Sequence, residues 1–240
     1  MTDKKSDKPT GHLLIVGAGG GLGQALVKHY LEAGWQVTAY SRQSAPLKSE
    51  QLDWQQIDDY AALREVLPDT DAVDGVISTI GMLHNDDFMP EKHLGAVNAT
   101  QLEHSFKINA ILPMLVLQQV LDKLPKKSSA FFVQLSAKVG SITDNYLGGW
   151  YSYRASKAAL NMLLKTASIE LGRSHKKLVI AAIHPGTTDT QLSEPFQERV
   201  ADDKLYSPMQ SAERIAEVIA NLTTEHSGKL LHWDGSELPY

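Results

Sequence analysis

The chain has 240 residues, a formal net charge of −5, 42% apolar residues and 21% charged residues. That length builds one α/β domain, or two small ones, around a core of useful size. The mild acidity supplies no overall basic field to draw nucleic acid or acidic membrane, though a local basic pocket stays open. The absence of cysteine excludes disulfides, thiolate metal sites and a cysteine nucleophile, and fits a reducing compartment. The first ten residues, MTDKKSDKPT, lack the apolar segment of a signal peptide, and no run reaches the ~20 apolar residues of a membrane span. The expectation is a cytoplasmic protein with a frayed tail over 1–10.

Strand-like apolar runs then alternate with segments of helical period. His12–Val16 is the first run. A helix from about Gly21 to Ala33 gathers Leu22, Ala25, Leu26 and Leu31 on one side, and Gly34 stops it. Trp35–Tyr40 reads as the second strand, Leu52–Ile57 as a weaker third, Tyr60–Leu67 as a short helix and Val73–Ile80 as a buried strand. A helical stretch from about Gln101 to Leu124 carries Pro113, which should kink it. Strand Ala130–Leu135, helix Tyr151–Leu171, strand Leu178–Ile183, helix Ala212–Leu222 and strand Lys229–His232 complete the chain. This alternation predicts one doubly wound Rossmann-type α/β domain over 11–240, with about seven parallel strands flanked by helices. The near-continuous apolar strands agree with burial on both faces. In such a sheet the ligand lies outside the carboxyl ends of the strands, so the loops after the strands carry the function.

The first of these loops, Gly17-Ala-Gly-Gly-Gly-Leu-Gly23, holds five glycines in seven residues. A plain strand-to-helix turn needs one or two. Five mean a tight turn, a close approach to the backbone, and free amides at a helix start that suit a pyrophosphate. The glycines at 17, 21 and 23 read G-x-x-x-G-x-G; Leu22 stands where a G-x-G-x-x-G opened at Gly17 needs its third glycine, and no G-K-[ST] follows. The second strand ends Tyr40-Ser41-Arg42-Gln43. A 2′-hydroxyl here asks for an acid and a 2′-phosphate for a cation. Ser41 takes the acid's place, and Arg42 either grips phosphate bidentately or is a solvated loop cation.

Tyr153 and Lys157 stand i, i+4 in Tyr-Ser-Tyr-Arg-Ala-Ser-Lys and so share a helix face. A free phenol titrates near 10, too high for acid–base work at neutral pH, and an ammonium beside it favours the phenolate. Tyr151 has Ala155 four residues on and lacks that partner. Further loop candidates are Gly81 after the fourth strand and the run His184-Pro-Gly-Thr-Thr-Asp-Thr190. A polar, weakly periodic segment, 191–207, follows them.

These motifs resemble the classical short-chain dehydrogenase/reductase family, over nearly the whole chain from His12 to Gly235. The wording of Leu135–Ile142 and Gly148–Lys157 is similar to the C-factor/sniffer-like carbonyl reductase branch. The resemblance implies NADP(H), with NAD(H) possible, and a small-molecule carbonyl or alcohol. It implies that Tyr153 moves a proton, that Lys157 tunes it and holds the nicotinamide ribose, and that Asn109 supports a relay water. Gly17, Gly21, Leu22, Gly23, Ser41, Arg42 and Gly81 would line the cofactor. Pro185, Gly186, Thr188 and Thr190 would also bind the cofactor, the Thr188 backbone meeting its carboxamide, with 191–207 as a substrate lid. It also implies a homodimer or homotetramer through the helices near Gln101–Leu124 and Tyr151–Leu171. His184 is expected to be structural, and neither metal, nucleic acid nor membrane is expected.

Three places depart from the family pattern. Val16 precedes the first glycine where threonine is usual, and Ser78-Thr79-Ile80 replaces Asn-Asn-Ala. The family's serine stands three residues before a glycine, and counting back from Gly140 gives Ala137. Ser136 is taken as the carbonyl-orienting hydroxyl, with Ser141 in reserve, although a one-residue slip on a strand turns a side chain to the other face. The insertion-like stretch 144–150 would permit a shifted loop. The competing reading is a dinucleotide-binding signalling or sensor protein with little turnover; intact Tyr153, Lys157 and Asn109 favour the enzyme.

Overall fold

The sheet grows outward from the strand His12–Val16 (β1), whose last four residues are wholly buried. On one side lie, in turn, β2 (Gln36–Ser41) and β3 (Leu52–Gln56); on the other β4 (Gly75–Ser78), β5 (Ala130–Leu135), β6 (Leu178–His184) and β9 (Leu230–His232). These seven strands are parallel, and Glu237–Leu238 (β10) closes the far edge antiparallel to β9. Thr187–Thr188 (β7) and Leu205–Tyr206 (β8) form a separate parallel pair. The structure is a computed structural model describing residues 10–70 and 72–240. Of the expected frayed tail, 1–9 lie outside the described residues.

Side chains alternate between the two faces of a strand, and the sheet accordingly separates two apolar clusters. Leu14, Val16, Val76, Phe132 and Ile180 pack toward Val116, Val120, Leu160 and Leu164. Leu13, Ile15, Val37, Ile77 and Val133 pack toward Leu26, Val27, Ile215 and Ile219. The first group comes from α3 (Leu112–Val120) and α4 (Tyr151–Leu171), the second from α1 (Gly21–Glu32) and α5 (Pro208–Ala220). No helix among the described residues is long and apolar enough to cross a membrane.

The element boundaries carry physical reasons. Gly34, at φ 82°, ends α1 in the left-handed region. The stretch around Pro113 is divided: α2 (Ala99–Phe106), a π-helical turn at Lys107–Ile111, then α3 with Pro113 in its first turn. Proline donates nothing to the carbonyl four residues back and its ring crowds that carbonyl; one widened turn accommodates both effects. The turn places Asn109 wholly in the interior. Helix α5 starts four residues before the expected Ala212 because Ser207 and Gln210 form a reciprocal capping box.

Candidate active site

Gly17, Gly19 and Gly23 leave no room for side chains in the glycine loop. Gly17 sits at φ 88°, and its amide and that of Ala18 both donate to the Tyr40 carbonyl at 3.0 Å. A Cβ on Gly23 would lie 2.6 Å from the Gly17 oxygen, and one on Gly19 would lie 2.3 Å from the Ser41 hydroxyl. Thr79 Oγ1 donates to the Gly17 carbonyl at 2.8 Å, buttressing the loop from β4. Gly20, at the N-cap of α1, offers no side-chain cap. The orphan amides of that first turn are therefore open to an anion. A cradle that a Cβ at Gly17, Gly19 or Gly23 would fill, ahead of uncapped amides, fits a dinucleotide pyrophosphate.

At the end of β2, Ser41 is buried and its hydroxyl accepts from the Gln43 amide at 2.9 Å. Arg42 is exposed, its carbonyl accepting from Gln56 Nε2 at 3.2 Å. Burial raises the Tyr60 phenol, and Arg42 beside it offsets part of that rise. Arg42 thus stands near the glycine loop, tied through Gln56 and Tyr60.

On the far side of β1, the chain leaving β4 brings Gly81 against the helix pair. A Cβ there would meet Lys157 Nζ at 3.2 Å and Asn109 Oδ1 at 3.6 Å. Asn109 Oδ1 accepts from the Met82 amide at 2.7 Å, and its Nδ2 donates to the Met82 carbonyl at 2.9 Å and to Ser156 Oγ at 3.0 Å. Lys157 Nζ donates to the Leu135 carbonyl at 3.1 Å and lies 5.9 Å from the Tyr153 ring centre. Gly81, Asn109, Tyr153 and Lys157, scattered between positions 81 and 157, come together at the carboxyl ends of β4 and β5.

Burial dominates the electrostatics. Desolvation pushes the Tyr153 phenol well above its usual value and pushes Lys157 down to about 8. The expected lowering of the phenol by the ammonium is outweighed, because the low-dielectric surroundings disfavour both charged forms. The phenol therefore keeps its proton, which is the state an acid needs.

The serines are seated differently from the expectation. Ser136 Oγ donates to Asn161 Oδ1 at 2.9 Å, one helical turn beyond Lys157. Its amide still donates to the Ile183 carbonyl at 2.8 Å, so the chain is still strand-like there. Ala137 takes the next, opposite direction and packs in a small cluster with Tyr153 and Leu83. Ser141 Oγ accepts from the Asp144 amide at 3.1 Å and lies 3.4 Å from Thr143 Oγ1. Neither serine hydrogen-bonds Tyr153 among the described residues.

The loop after β6 closes the other wall. Gly186 turns at φ 77° with Trp233 and Tyr206 against it. Thr188 Oγ1 lies 2.7 Å from Ser211 Oγ, and the Thr188 carbonyl accepts from Ser193 Oγ at 2.6 Å. A Cβ on Gly21 would lie 3.0 Å from Thr190 Cγ2, so this loop and the glycine loop touch. In the expected lid, Phe196 packs on Trp150, ring centres 5.1 Å apart, and on His84 at 5.8 Å. Trp150 in turn stands 6.2 Å from Tyr153. His84, Leu83, Trp150, Phe196 and Asn161 were not singled out from sequence. Only Trp150, following two glycines just ahead of Tyr153, carried any signal there. His184 is held neutral, pushed down to about 3 chiefly by burial.

Comparison with known proteins follows the same lines. The family model for short chain dehydrogenase matches residues 11–201. The C-signal protein of Myxococcus xanthus is 33% identical over 147 residues, covering 61% of this chain and 83% of that protein. Benzil reductase ((S)-benzoin forming) of Bacillus subtilis is 28% identical over 190 residues, 75% of each chain. Among solved structures, carbonyl reductase Sniffer of D. melanogaster superposes with a TM-score of 0.82 at 21% identity, covering 95% of this chain and 99% of that one. An NADPH-bound carbonyl reductase from chicken fatty liver gives 0.80 at 24% identity, covering 97% and 100%. The chain belongs to the short-chain dehydrogenase family.

Proposed function

We propose that this protein is an NADPH-dependent reductase of small carbonyl compounds, working in reverse on alcohols, with Tyr153 as its acid and base. The observation that carries the reading is the convergence of Tyr153, Lys157, Asn109 and Gly81 at the carboxyl ends of β4 and β5. The nicotinamide nucleotide, when bound, supplies the hydride. Gly17, Gly21, Leu22 and Gly23 would cradle its pyrophosphate, and Gly81, Pro185, Gly186, Thr188 and Thr190 would hold its nicotinamide half, the Thr188 backbone toward the carboxamide. Ser41, neutral, and Arg42, cationic, favour the 2′-phosphorylated cofactor over NAD(H). Tyr153 gives its phenolic proton to the nascent alkoxide. Lys157 steadies the phenolate left behind, and Asn109 holds the loop at Met82 and the helix at Ser156 in register. Trp150, Phe196 and Leu83 form an apolar wall over the phenol, and 191–207 is the lid. We place the enzyme in the cytoplasm as a homodimer or homotetramer; exposed Ile111, Met162, Leu163 and Ile169 along the outer helices support the assembly. The relatives named for carbonyl and benzil reduction support the substrate class.

A second reading has one observation behind it: Ala137, not a hydroxyl, packs beside Tyr153. A site short of one donor suits a nucleotide-binding signalling protein, and the C-signal relative agrees with that. One experiment separates the two: an NADPH-oxidation screen over aldehydes, ketones and quinones, run beside an NADPH titration. Turnover of any carbonyl supports the reductase. Tight binding with none supports the sensor, and absence of binding refutes both.

A further inference from the structure

We propose that Glu91 is a positioning residue for the reaction: its buried side chain caps, from 61 residues away, the helix that carries Tyr153 and Lys157, and so sets where the phenol stands. The inference rests on the reading of Tyr153 as the proton donor. Helix α4 begins awkwardly. Gly148, Gly149 and Trp150 run in succession at φ 63°, 66° and 52°, and Trp150 is the single non-glycine residue with positive φ among those described. As N-cap, Trp150 brings no side-chain acceptor, so the first-turn amides of α4 have no local partner.

Glu91 supplies the missing partner. Both of its side-chain oxygens accept from the Ser152 amide, at 3.3 and 3.2 Å, and Oε1 also accepts the Ser152 hydroxyl. Its backbone carbonyl accepts from the Trp150 amide at 2.5 Å, and lies 3.5 Å from where a Cβ on Gly149 would be. Glu91 is 2% exposed and has no salt-bridge partner among the described residues. A buried acidic side chain without a cation is costly. The amides and positive end of a helix N-terminus are what compensate it here. The residue after Ser152 is Tyr153. The same loop holds Met82 against Asn109 and Gly81 against Lys157. One segment thus grips the catalytic helix at its start and one turn further on, and the phenol lies between the two grips.

The test uses Glu91→Ala and Glu91→Gln in the full chain. Glutamine keeps one acceptor oxygen for the Ser152 amide and puts an NH2 in place of the other, which can donate to the Ser152 hydroxyl oxygen, whereas alanine has neither. Backbone hydrogen exchange across residues 148–156 reads the cap without needing turnover. NADPH titration and reduction of a soluble ortho-quinone read the site. For Glu91→Ala we expect exchange at least tenfold faster, confined to that segment, and kcat about tenfold lower, with the NADPH Kd within twofold. Glu91→Gln restores the protection and at least a third of kcat. Unchanged exchange in Glu91→Ala overturns the proposal, as does a loss of NADPH binding in step with kcat, or a glutamine variant no better than alanine. Should Glu91→Ala not fold, Ser152→Ala, which removes one of the donors, carries the same test with a two- to threefold loss of kcat expected and no loss overturning it. A wild-type protein that reduces no quinone counts against the reductase reading, while the exchange measurement still decides the cap.

Discussion

Replacing Ala137 by serine should make this protein a faster reductase. Ala137 is 7% exposed and packs with Tyr153 and Leu83, with Val139 and Trp150 at the edge of the cluster. A hydroxyl there would stand beside the phenol, where on the proposed mechanism the carbonyl oxygen of a substrate would gather charge. A well-placed donor of this kind contributes ~10²–10³ in kcat, about 2.7–4 kcal/mol. A serine added without supporting hydrogen bonds captures part of that, and we expect about tenfold, or ~1.4 kcal/mol. The same hydroxyl enters an apolar cluster without a partner, which costs roughly 1–3 kcal/mol. For a chain of this size that lowers Tm by roughly 2–12 °C. The assay is NADPH oxidation with a saturating carbonyl substrate, reporting kcat and KM separately, beside a thermal melt. Ser136→Ala is the control: its hydroxyl is engaged by Asn161, so its removal should cost well under tenfold in kcat. No gain from Ala137→Ser, together with a hundredfold loss from Ser136→Ala, would refute the reasoning and return the donor's role to Ser136.

Tyr153→Phe should lower carbonyl reduction by ~10²–10⁴, the usual contribution of a positioned general acid, with the NADPH Kd within about threefold; near-normal turnover removes Tyr153 from the mechanism. Arg42→Ala should erase most of the preference for NADPH over NADH in fluorescence titrations, since Arg42 is the exposed cation at the end of β2; equal affinities in the unsubstituted protein would sink the assignment. Lys157→Met should abolish turnover yet raise the Tm of the cofactor-free protein at pH 7. Burial holds Lys157 down to about 8 from an ordinary 10.5, so between those values the unfolded chain binds more protons than the folded one, and stability rises with pH across that window. A Tm that stays flat or falls from pH 8 to 10 in the unsubstituted protein, relative to Lys157→Met, contradicts the sign.

The parallel sheet was legible because its signals are local. The apolar run His12–Val16 and the glycine cluster after it need no knowledge of the rest of the chain, and a doubly wound order follows from strand–helix alternation. Where the reading slipped, distant or weak local terms decided. Val73 and Ile80 are apolar and buried, yet β4 keeps only Gly75–Ser78, since its length is set by pairing with β1 and β5. Pro113 marked a kink, but its form as a π turn that sinks Asn109 depends on packing against α4 through Ser156. The start of α5 was legible in principle, because Ser207-Pro-Met-Gln is a capping-box pattern.

In the site, the distinction runs between the pair itself and what aims it. Tyr153 and Lys157 are four residues apart, so helix periodicity alone puts them on one face. Their surroundings come from contacts that no spacing announces: Glu91 to Ser152 across 61 residues, Asn109 to Met82 across 27, Ser136 to Asn161 across 25. The serine shows why this matters. Sequence offers Ser136 and Ala137 as neighbours, and chemistry prefers the hydroxyl. Parity along the strand overrides that preference, since consecutive side chains face opposite ways. Ser136 stays in strand geometry through its bond to Ile183, and so turns to Asn161. Ala137 inherits the place beside the phenol. On the proposed reading, a substrate carbonyl held there would meet the Tyr153 hydroxyl against an apolar wall of Leu83, Trp150 and Phe196. A site so built would discriminate by apolar shape more than by polar readout, and would favour carbonyls activated by their own substituents over those that need a second donor.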